Sequence, residues 1–171
     1  MADGPPSHLT HALRFRQVAN LVNFSTPLGL GVAVLGRCHI RRGPRGLVLA
    51  DHYRFGFPTA SAFTVGNVLI TPGDWTALAR HRPTLMVHEE RHTWQWVALA
   101  GLPLLPAYGL AMAWSVLRTG DRAARNVFET RAGLALGGYR EVAPRPLGRA
   151  LLAAASSHRA HRRHRAGTVR A

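Results

Sequence analysis

Apolar residues follow two different spacings in the first part of the chain. A helical spacing over residues 8–23 predicts an amphipathic helix that ends before Pro27 and whose apolar face comprises Ala12, Phe15, Ala19 and Val22. The uncharged window 17–36 is a weak candidate for a membrane span, and we predict instead that the helix leads into a glycine-rich turn. After a basic loop at 37–46, two stretches rich in β-branched and aromatic residues, 46–55 and 60–70, predict two strands of a small antiparallel sheet.

Helical patterns dominate the rest of the chain. Asp74 is a candidate N-cap for a short helix over 75–81, and a longer helix begins at Pro83 or Thr84 and runs to Leu99 or Ala100. A further helix is predicted over 122–136, with Asp121 as its cap, and a weaker one over 147–157. The sequence therefore predicts an α+β fold: one domain over 1–157, mainly helical, with the small antiparallel sheet before the long helix. The composition of residues 158–171, rich in arginine and histidine without an apolar face, predicts a basic, disordered tail.

The uncharged segment 97–117 is long enough to cross the core of a bilayer. It also contains Pro103, Pro106 and two glycines, and it directly follows the polar residues of the long helix. We therefore predict a buried helical hairpin that is broken near the prolines, and the alternative is contact of this segment with a membrane.

The charge balance is strongly basic, with 22 Lys+Arg against 8 Asp+Glu and a net charge of +14. This excess attracts phosphates, anionic lipid headgroups and acidic partners, so contact with an anionic membrane surface is an expectation. Charge alone predicts no specific nucleic-acid binding, because no aromatic residues interleave with the basic tail to stack bases. Cys38 is the only cysteine, and the N-terminus shows no signal-peptide pattern. A cytoplasmic or peripherally membrane-associated protein is expected.

The segment TLMVHEERHTWQW, residues 84–96, carries the clearest chemical signal. On a helix, His88 and His92 lie one turn apart on one face, which suits two ligands of a tetrahedral Zn2+. Glu89 is the neighbour that an HExxH site uses as general base on water. The competing interpretation is a solvated helix face with a histidine pair.

A third ligand must come from elsewhere in the fold. The chain has only four glutamates, and Glu90 lies on the wrong face of the helix while Glu141 follows a helix stop. Glu129, inside the next good helix, is the candidate, although it could instead pair with Arg125 one turn earlier. Possible donors to an oxyanion are Tyr108, Tyr139, His52 and Arg131.

The order of GNVLI, VHEERHTWQW, LPLLPAYGLA and NVFETRAG, over roughly residues 63–135, resembles a group of small bacterial proteins described as zinc-metallopeptidase-like. Their pattern is a strand, HEYxHxxQ, a Leu/Pro-rich segment with PAY, and NPFExxA. The resemblance implies that residues 1–157 form a zincin-like, metal-binding domain. Its gluzincin-type site would hold one zinc on His88, His92 and Glu129, with Glu89 as base. Glu90 and Val127 depart from the group's usual neutral residue and proline, and neither departure removes a ligand.

The functional prediction is a zinc-dependent hydrolase that acts on peptide bonds of a peptide or protein substrate. Its rival is a catalytically silent zinc-binding domain that associates with a membrane or a protein partner through residues 97–117 and the arginine-rich surface.

Overall fold

Residues 9–148 are described by a computed structural model, and they form six α-helices and four strands. The helices are α1 (His11–Val22), α2 (Ser25–Leu35), α3 (Trp75–His81), α4 (Leu85–Ala98), α5 (Leu104–Thr119) and α6 (Val127–Ala132). The strands are β1 (His39–Arg42), β2 (Val48–Asp51), β3 (Phe63–Val65) and β4 (Val68–Ile70). The predicted α+β class is confirmed, with the sheet placed before the long helix α4.

The four strands form one sheet in the order β1-β2-β4-β3. The β1/β2 and β3/β4 pairs are antiparallel, whereas β2 and β4 run parallel, so the sheet is mixed where an antiparallel one was expected. The parallel pair arises because the chain first forms the edge strand β3 and then returns as β4 beside β2. Strand β1 occupies part of the stretch 37–46, which was predicted to be a loop.

A close backbone contact explains why the predicted strand over 60–70 is split into β3 and β4. Gly66 has a φ of +60°, and a Cβ at this position would lie 2.4 Å from the backbone nitrogen of Thr26. Only glycine meets both conditions, because other residues rarely adopt this φ and would collide with α2. The resulting turn anchors the sheet to the start of α2.

Strand β4 lies at the centre of the core, and all three of its residues are buried. Val68 and Ile70 pack with Ala33 of α2 on one face of the sheet, and Leu69 packs with Trp75 on the other. Because helices cover both faces of the sheet, the sequence of β4 is apolar throughout and does not alternate between apolar and polar residues.

The face of α1 that turns inward is not the predicted apolar one. Arg16 and Asn20 are fully buried, whereas Phe15 and Val22 are 61% and 70% exposed. The reason is a polar partner: Arg16 bonds to Glu90 of α4 and Asn20 bonds to the Thr93 carbonyl on the same helix. The predicted glycine-rich turn after α1 is also wrong, because helix α2 continues through Gly29 and Gly31 to Leu35.

The predicted buried hairpin over 97–117 is wrong, because most of the segment is one helix, α5, that continues through Pro106 without a break. Helix α4 ends at Ala98, the chain turns at 99–103, and α5 then exposes Leu105 and Leu110 by 53% and 74%. Over the described part of the chain no single helix meets the length and hydropathy needed to cross a bilayer, and only α1 and α2 taken together, bent by 71°, do so.

The last helix is shorter than the predicted range of 122–136. Asp121 accepts hydrogen bonds from the amides of Ala123 and Ala124 and so forms a turn, and α6 begins only after its own N-cap, Asn126. The helix predicted over 147–157 lies mostly outside the described residues, and so does the predicted tail over 158–171.

Candidate metal centre

Three buried side chains from α4 and α6 converge on one point. His88 and His92 lie one turn apart on α4, and their Nε2 atoms are 3.1 Å apart. Glu129 enters from α6, with Oε2 at 3.1 Å from His88 Nε2 and Oε1 at 3.6 Å from His92 Nε2. All three residues are at least nine-tenths buried. They form a group that can hold a metal ion, with the ligand atoms within 4.8 Å of one another.

Neighbouring groups fix which ring nitrogen of each histidine carries the proton. His88 Nδ1 lies 3.1 Å from the Gly133 carbonyl, which can only accept, so this nitrogen is the protonated one. His92 Nδ1 lies 2.8 Å from Gln95 Oε1, and Gln95 Nε2 donates to the Phe128 carbonyl at 2.8 Å. Because the amide nitrogen must face that carbonyl, its oxygen faces His92. Both histidines therefore direct an Nε2 lone pair into the site.

These lone pairs repel each other unless a positive charge lies between them, either a proton in the metal-free site or a metal ion that displaces it. Glu129 Oε2 adds a third negative centre, and it is buried without any hydrogen bond. Two ligands at about 2.05 Å from a tetrahedral Zn2+ lie about 3.3 Å apart, close to the observed separations. The donor set of two imidazoles and one carboxylate therefore suits a zinc ion, and it would suit other divalent ions as well.

The site also alters the acidity of its own groups. Burial disfavours the charged form of Glu129, but the adjacent His88 and His92 outweigh burial and hold the pKa of this carboxyl well below its usual range. Burial likewise works against protonation of His92, yet Glu129 and Glu89 raise its pKa overall. In the absence of metal, the group thus keeps a carboxylate charge that favours a cation.

Glu89 lies beside the three candidate ligands on the wall of the same cavity. Its Oε2 accepts a hydrogen bond of 2.7 Å from the Thr64 hydroxyl on β3. Burial raises the pKa of Glu89, although His92 and Thr64 partly oppose this shift. A carboxylate with a raised pKa in this place has the properties of a general base.

Of the four candidate oxyanion donors, the structure brings two tyrosines to the site. Tyr108 donates to Glu129 Oε1, and the ring of Tyr139 lies 5.8 Å from that of His88. Burial and the charge of Glu129 raise the pKa of Tyr139 to about 12, so its hydroxyl keeps its proton. His52 and Arg131 do not line the cavity.

The site opens into a cavity of about 1220 Å³. The walls are mainly apolar and come from α2, β3, α4, α5 and the loop before β3, including Val32, Phe57, Phe63, Leu105 and Met112. Arg82 and Arg122 also line it, so a substrate with both apolar and anionic groups would find partners here.

The sequence leaves two interpretations open for Gln95 and Asn126: a residue that orients a ligand, or one that is simply exposed. In the structure Gln95 contacts His92, and Asn126 is fully buried as the N-cap of α6. Glu129 lies within 4.0 Å of both histidines and does not pair with Arg125 among the described residues. Glu90 points away from the site, as predicted, and it pairs with Arg16 and Arg45.

Comparisons with family models, with curated proteins and with solved structures give no match to this chain. The case for the site therefore rests on its own geometry, a buried group of His88, His92 and Glu129 that is consistent with an HExxH-type site. The resemblance to the small bacterial metallopeptidase-like proteins stays a prediction.

Proposed function

We propose that this protein is a zinc-dependent hydrolase with peptidase-like chemistry, in which His88, His92 and Glu129 hold the metal. The observation that carries the proposal is the pair of imidazoles whose Nδ1 atoms are fixed by Gly133 and Gln95, so that both Nε2 lone pairs meet a buried carboxylate. A divalent cation held there would supply a Lewis acid that polarises a carbonyl group and makes a water molecule more acidic.

The protein's own residues would perform the proton transfers. Glu89 would accept a proton from the attacking water and donate it to the leaving amine, while the Thr64 hydroxyl keeps its Oε2 in place. Since Tyr108 already donates to Glu129, Tyr139 is the better placed hydroxyl to donate to the oxyanion. The apolar cavity walls would bind the side chains of a peptide substrate and so hold its carbonyl near the attacking water.

The test of metal binding is the zinc content of the full-length protein, measured by mass spectrometry. His158, His161 and His164 are replaced by alanine in every sample so that the tail adds no imidazoles. We expect about one zinc per chain in this background. The ion should be lost in Glu129→Ala and retained in Glu141→Ala, which removes an exposed glutamate. Zinc retained in Glu129→Ala would contradict the ligand set.

The test of catalysis is a screen of fluorogenic peptides with the wild type and Glu89→Gln. The variant should keep its zinc and lose hydrolysis by at least about 100-fold, because the metal ligands stay while the base is removed. Equal hydrolysis in both proteins would refute the role of Glu89. A zinc-loaded wild type that cleaves nothing in the screen would favour the rival function, a catalytically silent zinc-binding domain.

A further inference from the structure

Helix α1 has its apolar side chains on the outside. The buried Arg16 and Asn20 lie on one face, and Phe15, Val18 and Leu21 lie on the opposite face, each more than half exposed. A helix at a water surface ordinarily buries its apolar side chains and exposes its polar ones, and α1 does the reverse. Such an exposed face indicates a surface that binds something apolar.

Two further helices extend this apolar face. Helix α2 exposes Val34 and Leu35, and α5 is apolar along most of its length, with Arg118 as its single charged residue. The turn between α1 and α2 lies against the loop before α5, because the backbone oxygen of Asn23 is next to Gly101. The residues that follow this contact, Phe24 and Leu102, are 71% and 54% exposed. We call the exposed apolar residues of α1, α2, their connecting turn, α5 and the loop before it the apolar face.

The formal charges on the three helices have one sign. None of the three helices contains an acidic residue. Arg14 is exposed on α1, Arg37 follows α2, and Arg54 lies beside the end of α2 through a hydrogen bond to Gly36. At the far end of α5, Arg118 stacks over the half-exposed ring of Trp114. Apolar residues surrounded by arginines, with a tryptophan at the boundary, match an anionic lipid surface.

We infer that the apolar face docks onto an anionic lipid bilayer. Phe24 and Leu102 would insert among the acyl chains, and the surrounding arginines would contact lipid phosphates. Leu105 belongs to the apolar face and also lines the cavity of the metal site, so docking would bring the cavity against the bilayer. One consequence depends on the proposed function: the substrate would be an apolar peptide segment presented at the membrane.

The first test is flotation of the full-length protein with vesicles of phosphatidylcholine, alone or mixed with phosphatidylserine. The wild type should float with the anionic vesicles. Phe24→Ser/Leu102→Ser should lower the partition coefficient at least about tenfold, because two apolar side chains no longer leave water. Val87→Ser/Val127→Ser, which removes two exposed apolar side chains outside the apolar face, should float like the wild type. Equal flotation of the wild type and the Phe24/Leu102 variant would overturn the inference, because charge alone would then explain binding.

The second test locates the contact. Lipids with brominated acyl chains should quench the fluorescence of the docked protein, and Trp114→Phe should remove most of this quenching while Trp94→Phe should not. Quenching that survives in Trp114→Phe would contradict the docked orientation.

A wild-type dimer in solution that the Phe24/Leu102 substitutions abolish, without any flotation, would assign the apolar face to a second copy instead. Zinc content is measured in each variant, so a failure of docking is distinguished from a failure of the metal site.

Discussion

Gln95 offers a sharp test of the metal site, because it touches a ligand without being one. Its Oε1 accepts from His92 Nδ1 at 2.8 Å, and its Nε2 donates to the Phe128 carbonyl at 2.8 Å. Replacing Gln95 by leucine removes both bonds with little change in side-chain volume. His92 would then lose the group that selects its tautomer and holds its ring.

Loss of a hydrogen-bond partner behind a metal-bound histidine typically costs 10- to 100-fold in metal affinity. This corresponds to about 1.4–2.7 kcal/mol of binding free energy. Gln95 also joins α4 to α6 through Phe128, the neighbour of Glu129, so we expect a value toward the upper end of this range. The free energy of unfolding should fall by about 1 kcal/mol, which is the net contribution of one or two hydrogen bonds, so the protein should stay folded.

The assay is competition for zinc between the protein and a chromophoric chelator, with circular dichroism to verify folding. Gln17→Leu is the matched control, because Gln17 is the chain's only other glutamine and lies on α1, outside the cavity. Its zinc affinity should equal that of the wild type. If Gln95→Leu also binds zinc as tightly as the wild type, then Gln95 does not orient His92, and the argument from fixed tautomers is wrong.

Two further substitutions test the packing around α4. A Cβ at Gly137 would lie 2.7 Å from the His88 ring, so Gly137→Ala should weaken zinc binding in the same competition assay, whereas Gly109→Ala, which meets nothing within 4 Å, should not. Arg16→Met should lower the free energy of unfolding by about 1–3 kcal/mol in urea, because Glu90 loses its buried partner and keeps only Arg45, whose side chain is 61% exposed. Adding Glu90→Met should restore most of this loss, and additive losses would show that the two residues do not act as a pair.

The part of the site that the sequence could predict is the part encoded by local spacing. The four-residue interval between His88 and His92 needs only a helix to bring the side chains together, and the short supply of glutamates limited the choice of third ligand. Gln95 and Thr64 could not be predicted in their roles. Their partners, Phe128 and Glu89, lie 33 and 25 residues away, and only the tertiary fold brings them together.

Periodicity also does not say which face of a helix turns inward. In α1 the pattern distinguishes an apolar face from a polar one, and the usual rule buries the apolar one. The structure buries the polar face, because Arg16 and Asn20 find charged and carbonyl partners on α4 that satisfy them. The predicted start of α6 was wrong for a related reason. Asp121 and Asn126 can both cap a helix, and residue preferences at the N-cap position do not choose between them.

Glu90 explains why α1 packs with its polar face inward. In the fold Glu90 is buried on α4, where it pairs with Arg16 of α1 and with Arg45. A buried carboxylate on α4 requires cations, and Arg16, the fully buried one of its two partners, reaches it only when the polar face of α1 packs against α4. The apolar residues of α1 are thereby left outside. The buried pair of Arg16 with Glu90 and the exposed apolar face are therefore two consequences of one packing arrangement. The helix that carries the candidate ligands is held on its opposite side by α1, the helix that would meet the membrane.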